Sequence, residues 1–522
     1  MATGVNQAIR AGLVDAAAWG SLREMNLDLN GWLRQRWFRI AIWAVVCLLS
    51  AAKFLYLTAD FPNWSPWMID QAKFTDEGWW GSAAVAHAFT GHWYMPGDYN
   101  PAVALPVWPL LLSAVFHFTG VSAVAARAFT AALSIAALGL VYLLVRRYAR
   151  GNAETPALLA VLLLAASPFA FVFNRLAILE TLVFLEFCLL MLVASFATLK
   201  RIWPLAALAV LIPTMLLTKT TAALLVPAVA WVAWSAMGRK WDGLWRATVA
   251  VAVVPAALLK GYAALASALG YGADYRYFYD VNAMPDIDWA HTLGTLRDLA
   301  ANCLWVDRVL YPIGLVILLL TVAWKRKLWA NPLFAASWMV IAAQAVFIFS
   351  RQDDSAPRYF LPMLAPLVWI VVLAVGELLP RWQKTAALLL LGMAASVVAN
   401  VVMIRHFLVD RDYDFHDAAV SISQIIRSHS EQKPLMLGVS GAQIALMTGI
   451  PAINDGFSSE DMAKKVAQDE PGWFLVWDKI DPEDEAALAP FRMEEMASYP
   501  AFDDDTRTVL ILYKLTPKTS QP

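Results

Sequence analysis

The sequence predicts an α-helical polytopic membrane protein with a small α/β domain at its C-terminal end. Two observations carry this prediction. The chain has 522 residues, of which 60% are hydrophobic and only 16% charged, far from the composition of a soluble protein. Up to residue 404 the apolar residues form runs of about 20, the length of a membrane-spanning helix. After that point acidic runs and short strand-like pieces replace them.

Eleven apolar runs have the composition of spanning helices. They lie at 40–58, 122–145, 156–173, 177–199, 203–218, 220–237, 246–269, 309–323, 333–350, 359–376 and 385–404. A twelfth run, 102–118, is short and contains two prolines, and we expect it to lie at the outer interface. If it does not span, basic clusters such as the one at 325–327 fall on the cytoplasmic side, where Lys and Arg are enriched.

This topology divides the chain into a cytoplasmic segment 1–39, a membrane domain 40–404 and an extracytoplasmic domain 405–522. It also exposes an outer loop, 59–121, and a second one near 270–308. Because apparent strands and helices alternate in the last domain, we expect a small α/β fold with a mostly parallel sheet. We expect the protein in the inner (plasma) membrane of a bacterium.

Several classes of function are disfavoured. A net charge of −1 gives no basic field for nucleic acid. The three cysteines lie far apart and predict neither a disulfide framework nor a zinc site. His87 and His92 are five residues apart, not the four of a helical metal pair, so we predict no metal ligands. No cofactor is predicted, although a divalent cation held by Asp76 stays open.

Two adjacent carboxylates, Asp76 and Glu77, begin the stretch "DEGWW" in the first outer loop. On its own such a pair is typical of a solvated loop face. Further along, "NRLAILETLVFLEF" places Arg175 and Glu180 at the outer mouth of a span. A carboxylate near membrane depth usually faces a cavity or a partner, and for Glu180 that partner could simply be Arg175.

Basic side chains also lie on the outer side, at Lys219 in "LTKTT" and Arg358 in "APRYF". Each could extend towards lipid headgroups. Together with the carboxylates, however, they predict a site in which cations hold a phosphate and a carboxylate accepts a proton. That pairing suits glycosyl transfer from a polyprenyl-phosphate sugar, with inversion by single displacement.

The ordered motifs "DEGWW", "GHWYMPGDYNP", "NRLAILETLVFLEF", "LLTKTTAALLVP" and "PRYFLPMLAPL" resemble the protein O-mannosyltransferase and aminoarabinose transferase superfamily of GT-C membrane glycosyltransferases. The resemblance covers residues 40–380. It implies catalytic roles for Asp76 and Glu77, with Asp76 as general base. It implies substrate-binding roles for the set Arg175, Glu180, Lys219, Arg358 and Tyr359. Two departures from the family pattern are a threonine after Lys219 and a single proline after Asn100.

The rival hypothesis is a secondary transporter or lipid flippase, in which Lys53, Glu186 and Lys260 would line a path. Transporters usually contain two matching halves, and the sequence has none. The sugar is not readable from the sequence, and the acceptor could be a lipid, a glycan or a protein. Acceptor choice is expected to reside in the 270–308 loop and the C-terminal domain, because loops vary on a fixed scaffold.

Overall fold

Apolar helices build most of the protein. The computed structural model describes residues 31, 33–68, 70–93, 98, 100–281, 293–294, 307–324, 326–349, 356–380, 382–455, 460–503 and 507–518. Several parts of the chain lie outside these ranges. They are the predicted cytoplasmic segment up to residue 30, residues 282–292 and 295–306 of the second outer loop, and Arg351.

The helices before the C-terminal domain are α1 Arg36–Ala52, α2 Asp76–Thr90, α3 Val107–Thr119, α4 Ala123–Tyr148, α5 Glu154–Ala165, α6 Pro168–Phe173, α7 Leu179–Ala194, α8 Trp203–Thr218, α9 Val226–Ala236, α10 Trp241–Thr248, α11 Val254–Ala268, α12 Gly272–Val281, α13 Leu310–Trp324, α14 Arg326–Trp329, α15 Pro332–Phe349, α16 Leu361–Leu378 and α17 Gln383–Val409. Short 3₁₀ turns lie at Gln71–Lys73, Pro101–Val103, Thr220–Leu225 and Pro357–Phe360, and a π-helical turn at Val249–Val253 joins α10 to α11.

Each predicted span coincides with one or two of these helices, which confirms a multi-span helical architecture. In the described part, four helices are long and apolar enough to cross a membrane. They are Ala123–Tyr148, Trp241–Ala268, Pro357–Leu378 and Gln383–Ser428, the last running from α17 into the first helix of the C-terminal domain. Six further apolar helices have 10–17 residues. The count of eleven spans stays a prediction.

Helix α16 lies at the centre of the helical bundle. In its most apolar stretch of 18 residues, 83% of the residues are buried, against 44% in the corresponding stretch of α4. It packs against α5, α13 and α15. Arg358 lies in the 3₁₀ turn that leads directly into this helix, so a rigid central element fixes its position.

The first outer loop is largely helical. Helix α2 begins at Asp76 and ends where Gly91 adopts a left-handed conformation, with φ of 76°. Helix α3 has 13 residues and is therefore about 20 Å long, shorter than the roughly 30 Å hydrocarbon core of a bilayer. Several helices within the predicted spans are similarly short, so the position of 102–118 at the outer interface stays a prediction.

The C-terminal domain contains a five-stranded sheet in the order β2-β1-β3-β5-β4. Its elements are α18 Asp414–Ser428, β1 Met436–Leu437, α19 Gly441–Thr448, β2 Ala452–Ile453, α20 Met462–Asp469, β3 Trp473–Trp477, α21 Pro482–Ala487, β4 Phe491–Pro500 and β5 Val509–Pro517. Three of these strands and two of these helices lie in the segments where the sequence predicts them. The small α/β domain is confirmed.

The prediction of a mostly parallel sheet is wrong, because the sheet is mixed. Strand β1 pairs in parallel with β2 and β3 over two residues each, whereas β5 pairs antiparallel with β3 and β4 over longer stretches. Strand β4 is an edge strand, and most of its residues are exposed or half-buried. Its sequence "FRMEEMASYP" therefore lacks the apolar pattern of a strand, and the hairpin that it forms with β5 is not readable from the sequence.

The C-terminal domain docks on the first outer loop. Asp60 accepts hydrogen bonds from the backbone N–H groups of Phe415 and His416, at 2.8 and 3.1 Å from its Oδ2, and so caps α18. Asp412 Oδ2 accepts one from the N–H of Asn63 at 2.8 Å. Helix α19 packs against α2. The helix that begins with Asp76 is thus held between the membrane bundle and the C-terminal domain.

Candidate active site

The guanidinium of Arg358 lies among three buried carboxylates. Its Nη2 is 2.9 Å from Oδ2 of Asp76, and its Nε is 3.7 Å from Oε1 of Glu180. Its Nη1 donates to Oδ1 of Asp70, whose Oδ2 accepts from the backbone N–H of Arg358 at 2.9 Å. Three segments that are far apart in sequence meet at this one side chain.

Asp76 is the first residue of α2, where the positive end of the helix dipole favours a carboxylate. Only 2% of the residue is exposed. The hydroxyl of Thr75 donates to its Oδ1 at 3.2 Å, and its Oδ2 accepts no hydrogen bond of regular geometry in the described part despite the ion pair with Arg358. One carboxylate oxygen is therefore held only by charge.

The electrostatic surroundings of Asp76 favour its protonated form. Burial raises the pKa of this carboxyl, and the nearby carboxylates of Asp70 and Glu180 act in the same direction. Arg358 and Lys219 oppose the change without cancelling it. A carboxylate with a raised pKa is better suited to accept a proton near neutral pH than an exposed aspartate is.

Glu77, the next residue, faces a different set of groups. Its two oxygens accept from Nε and Nη2 of Arg127, at 2.8 and 2.6 Å. They also accept from the N–H of Ala177 at 2.7 Å and from Nε2 of Gln443 at 2.9 Å. Burial alone would raise the pKa of Glu77, but Arg127 and these hydrogen bonds hold it below its ordinary value. All four contacts stabilise the ionised form.

Glu180 and Lys219 form an ion pair at the edge of the cluster. Glu180 lies in the first turn of α7 and is buried. Lys219 follows α8, which contains Pro213, and its extended backbone separates that helix from the next 3₁₀ turn. The Nζ of Lys219 is 5.0 Å from the ring centroid of Tyr359. The alternative partner of Glu180, Arg175, does not pair with it.

A small pocket opens beside this ion pair. Its polar lining consists of Glu180, Lys219, Thr221, Gln344, Arg358 and Tyr359. The Oε2 of Glu180 is buried and accepts no hydrogen bond from the described residues. The pocket thus contains two cations, one carboxylate oxygen without a donor and an aromatic ring.

Arg175 lies apart from the cluster. Its Nη2 donates to the backbone carbonyls of Leu55 and Tyr56, the latter at 3.0 Å, and its guanidinium lies 4.9 Å from the ring centroid of Phe171. These contacts tie the segment after α1 to the segment before α7. Of the predicted site residues, the structure brings together Asp76, Glu180, Lys219, Arg358 and Tyr359, and places Glu77 next to them.

Comparison with known proteins gives a partial family match and a shared fold. Residues 100–261 match the family described as dolichyl-phosphate-mannose-protein mannosyltransferase. The fold is similar to that of ArnT from Cupriavidus metallidurans bound to undecaprenyl phosphate, with a TM-score of 0.55 at 14% sequence identity over 91% of this chain and 97% of that one. The chain therefore has the fold of a GT-C membrane glycosyltransferase. It is an integral membrane protein.

A second structure, ArnT from the same organism in the apo state, gives a TM-score of 0.52 at 15% identity, over 93% of this chain and 98% of that one. No curated protein sequence matches the chain. Together, the family match and the fold confirm the resemblance to the superfamily of protein O-mannosyltransferases and aminoarabinose transferases, whose members depend on lipid-linked sugars.

The family match includes Glu180 and Lys219. It begins after Asp76 and ends before Arg358. The assignment of Asp76 and Arg358 to the site therefore depends on the geometry, since the structural similarity at such low identity supports only the fold.

Sequence reasoning missed three residues around the cluster: Asp70, Arg127 and Gln443. A signal existed for Arg127, because a charged residue inside an apolar run usually faces a partner. Asp70 comes six residues before Asp76 but shares no motif with it. Gln443 lies in the C-terminal domain, and nothing in its local sequence points to the membrane domain.

The described part of the chain offers no group of three His, Cys, Asp or Glu side chains arranged to hold a metal ion. Asp70, Asp76 and Glu180 converge, but the guanidinium of Arg358 lies between them. His87 stacks on Trp93, with ring centroids 4.1 Å apart, and His92 is exposed. As described, these residues do not fit a divalent cation.

The charges that would line a transport path are not brought together. Lys53 is buried and donates to Ser134 at 3.0 Å, Glu186 accepts from Thr218 at 3.1 Å, and Lys260 is exposed on α11. No described contact joins these three charged residues. The geometry therefore gives no support to the transporter hypothesis.

Proposed function

We propose that this glycosyltransferase moves a sugar from a polyprenyl-phosphate donor to an acceptor at the extracytoplasmic face of the membrane, by an inverting single displacement. One observation carries the proposal. A buried carboxylate with a raised pKa, Asp76, lies within 2.9 Å of Arg358, one of two cations that line a pocket at the same cluster.

The two cations suit the leaving group. Lys219 and Arg358 line the small pocket beside Glu180. A phosphate that entered the pocket would replace Glu180 as the acceptor for the N–H groups of Lys219 and Arg358. Such charge-assisted hydrogen bonds strengthen as the phosphate gains charge. Tyr359 provides an aromatic face beside the two cations.

Asp76 suits the acceptor. In the proposed step an acceptor hydroxyl oxygen forms a bond to the anomeric carbon while the bond from that carbon to the phosphate oxygen breaks. The bonding electrons leave with the polyprenyl phosphate, and the hydroxyl proton passes to Asp76. Arg358 contacts Asp76 and also lines the pocket proposed for the phosphate, so the base and the leaving group share one guanidinium. A single displacement at the anomeric carbon inverts its configuration.

Glu77 and Arg175 take supporting roles in this proposal. Both oxygens of Glu77 are occupied by donors, which favours positioning of α2 over proton transfer. Arg175 bonds to backbone carbonyls, which favours a role in holding the loop that follows α1. The acceptor is a lipid, a glycan or a protein, and the membrane is a bacterial inner membrane with the N-terminus cytoplasmic and the C-terminal domain outside.

The proposal is tested by the release of polyprenyl phosphate from a panel of polyprenyl-phosphate sugars. The purified protein is supplied with a crude membrane extract as acceptor, and the native chain is compared with Asp76→Asn. Asp242→Asn, an exposed aspartate on α10, is the matched control. We expect release from one donor class with the native chain and the control, and none with Asp76→Asn. No release from any donor by folded native protein would overturn the proposal.

A further inference from the structure

We infer that the C-terminal domain is a working part of the active site: through Gln443 and the contact at Gly78 it positions the helix that carries Asp76. This inference rests on the proposed function of Asp76. It assigns a specific task to a domain whose described residues contain no group of three His, Cys, Asp or Glu side chains able to hold a metal ion.

Gln443 joins the domain to α2 by two hydrogen bonds. Its Nε2 donates to Oε2 of Glu77 at 2.9 Å, and its Oε1 accepts from the N–H of Gly78 at 2.8 Å. The side chain is fully buried. A backbone N–H in the first turn of a helix has no partner within that helix, so Gln443 satisfies a group that would otherwise be buried and unpaired.

Gly78 allows the two helices to approach so closely. A Cβ atom at this position would lie 2.2 Å from the backbone N of Gln443 and 2.3 Å from the carbonyl carbon of Ala442. Backbone atoms cannot move aside as a flexible side chain can. The glycine is therefore required by the contact with α19, and not by its own backbone dihedral angles, which are helical.

A further contact fixes the rotation of α2 against the domain. The indole N–H of Trp79 donates to the carbonyl of Val439 at 3.1 Å. Three consecutive residues after Asp76 are thus tied to the segment 439–443. Because Asp76 directly precedes them, a shift of the domain displaces its carboxylate relative to Arg358.

The groups that face Asp76 make this displacement measurable. They are Thr75, Asp70, Glu180, Lys219 and Arg358, and none of them belongs to the C-terminal domain. Displacement of the first turn of α2 changes the balance at Asp76 between burial, which raises the pKa, and the charge of Arg358, which lowers it. The acid limb of the rate profile therefore shifts.

The experiment compares two pairs of variants in the full-length protein. Gly78→Ala is paired with Gly81→Ala on the same helix, where the added Cβ would meet only the Leu112 side chain at 3.4 Å. Gln443→Leu is paired with Gln432→Leu, a glutamine that bonds to the backbone carbonyls of Gly472 and Leu515 inside the domain. The readouts are kcat and KM for the polyprenyl-phosphate sugar that the native chain uses, the pH dependence of kcat/KM, and the thermal unfolding midpoint.

We expect Gly78→Ala and Gln443→Leu to lower kcat by on the order of 100-fold, the effect of a misplacement of about 1 Å, with a smaller change in donor KM. Their acid limbs should shift from the native position. The two controls should keep the native limb. A variant that only unfolds more easily loses active protein but keeps the limb of the remainder, so the limb separates positioning from general instability.

An unchanged acid limb and kcat in folded Gly78→Ala and Gln443→Leu would overturn the inference while leaving the proposed function intact. If native protein releases no polyprenyl phosphate, the proposed function itself fails. If Gln443→Leu does not fold, Gln443→Glu supplies the test, because it retains the acceptor for the N–H of Gly78 and places a negative charge against Glu77. Native kinetics in Gln443→Glu would equally overturn the inference.

Discussion

Asp76 and Arg358 come from opposite ends of the membrane domain, and their side chains lie 2.9 Å apart in a buried cluster. Arg358 is also held by Asp70, which binds both its guanidinium and its backbone N–H. The cation therefore keeps its place when Asp76 changes its protonation state. This arrangement gives the cluster a fixed cation and a carboxylate that is free to exchange a proton.

Replacing Asp76 with Asn is expected to abolish turnover. Asn keeps the shape of the side chain and the hydrogen bond with Thr75 but removes the base, and general-base catalysis contributes roughly 10²–10⁴-fold to a rate. The measurement is polyprenyl phosphate release, accompanied by thermal unfolding to establish that the variant is folded. Turnover within a factor of about two of the native rate would remove Asp76 from the role of base.

The rate should depend on pH through the ionisation of Asp76. The carboxylate must be ionised to accept a proton, and burial raises its pKa above the ordinary value of 3.8. As pH falls, kcat/KM should therefore decline at a higher pH than an exposed aspartate would give. An acid limb at or below pH 3.8 would contradict this account of the site.

Lys219→Ala is expected to raise the donor concentration needed for half-maximal rate. A hydrogen bond to a charged group contributes about 1.5–3 kcal/mol, which corresponds to a roughly ten- to hundredfold rise in KM. The exposed Lys200, changed to Ala, is the control. Because Lys219→Ala also leaves Glu180 buried without its cation, the double variant with Glu180→Gln should recover stability but not donor affinity. An unchanged KM in both variants would indicate that Lys219 contacts headgroups instead.

Glu77→Gln is expected to act on stability, in contrast to Asp76→Asn. It leaves the buried guanidinium of Arg127 without a counter-charge, and breaking a buried pair in this way costs about 3–5 kcal/mol. Thermal unfolding in detergent should therefore begin at a clearly lower temperature. A Glu77→Gln protein that unfolds like the native chain yet is inactive would return Glu77 to a catalytic role.

The orientation in the membrane can be tested with reporters fused to the two ends of the full chain. A reporter after Pro522 should read as extracytoplasmic and one before Met1 as cytoplasmic, because this orientation keeps the basic loops inside. If both ends read as cytoplasmic, the run 102–118 spans the membrane and the site would lie on the wrong side for the proposed donor.

The helical architecture was predictable because the membrane imposes it locally. Long apolar runs with charge confined to their ends specify helices without reference to the rest of the chain. The pairing of strands in the C-terminal domain was not predictable in the same way. Edge strand β4 is mostly exposed or half-buried, and its partner is decided by tertiary contacts that a local pattern does not contain.

The sequence by itself identified Asp76, Glu180, Lys219 and Arg358 as candidate site residues, because charged side chains in an apolar chain usually face a cavity or a partner. Only the tertiary structure decided which of them meet. It pairs Asp76 with Arg358 and Glu77 with Arg127. It places Arg175 against a backbone carbonyl, outside the cluster. It also adds Asp70, which binds Arg358, and Gln443, which binds Glu77. The physical reason is that ion pairs form between side chains brought close in space, and such pairing depends on helix packing rather than on order along the chain.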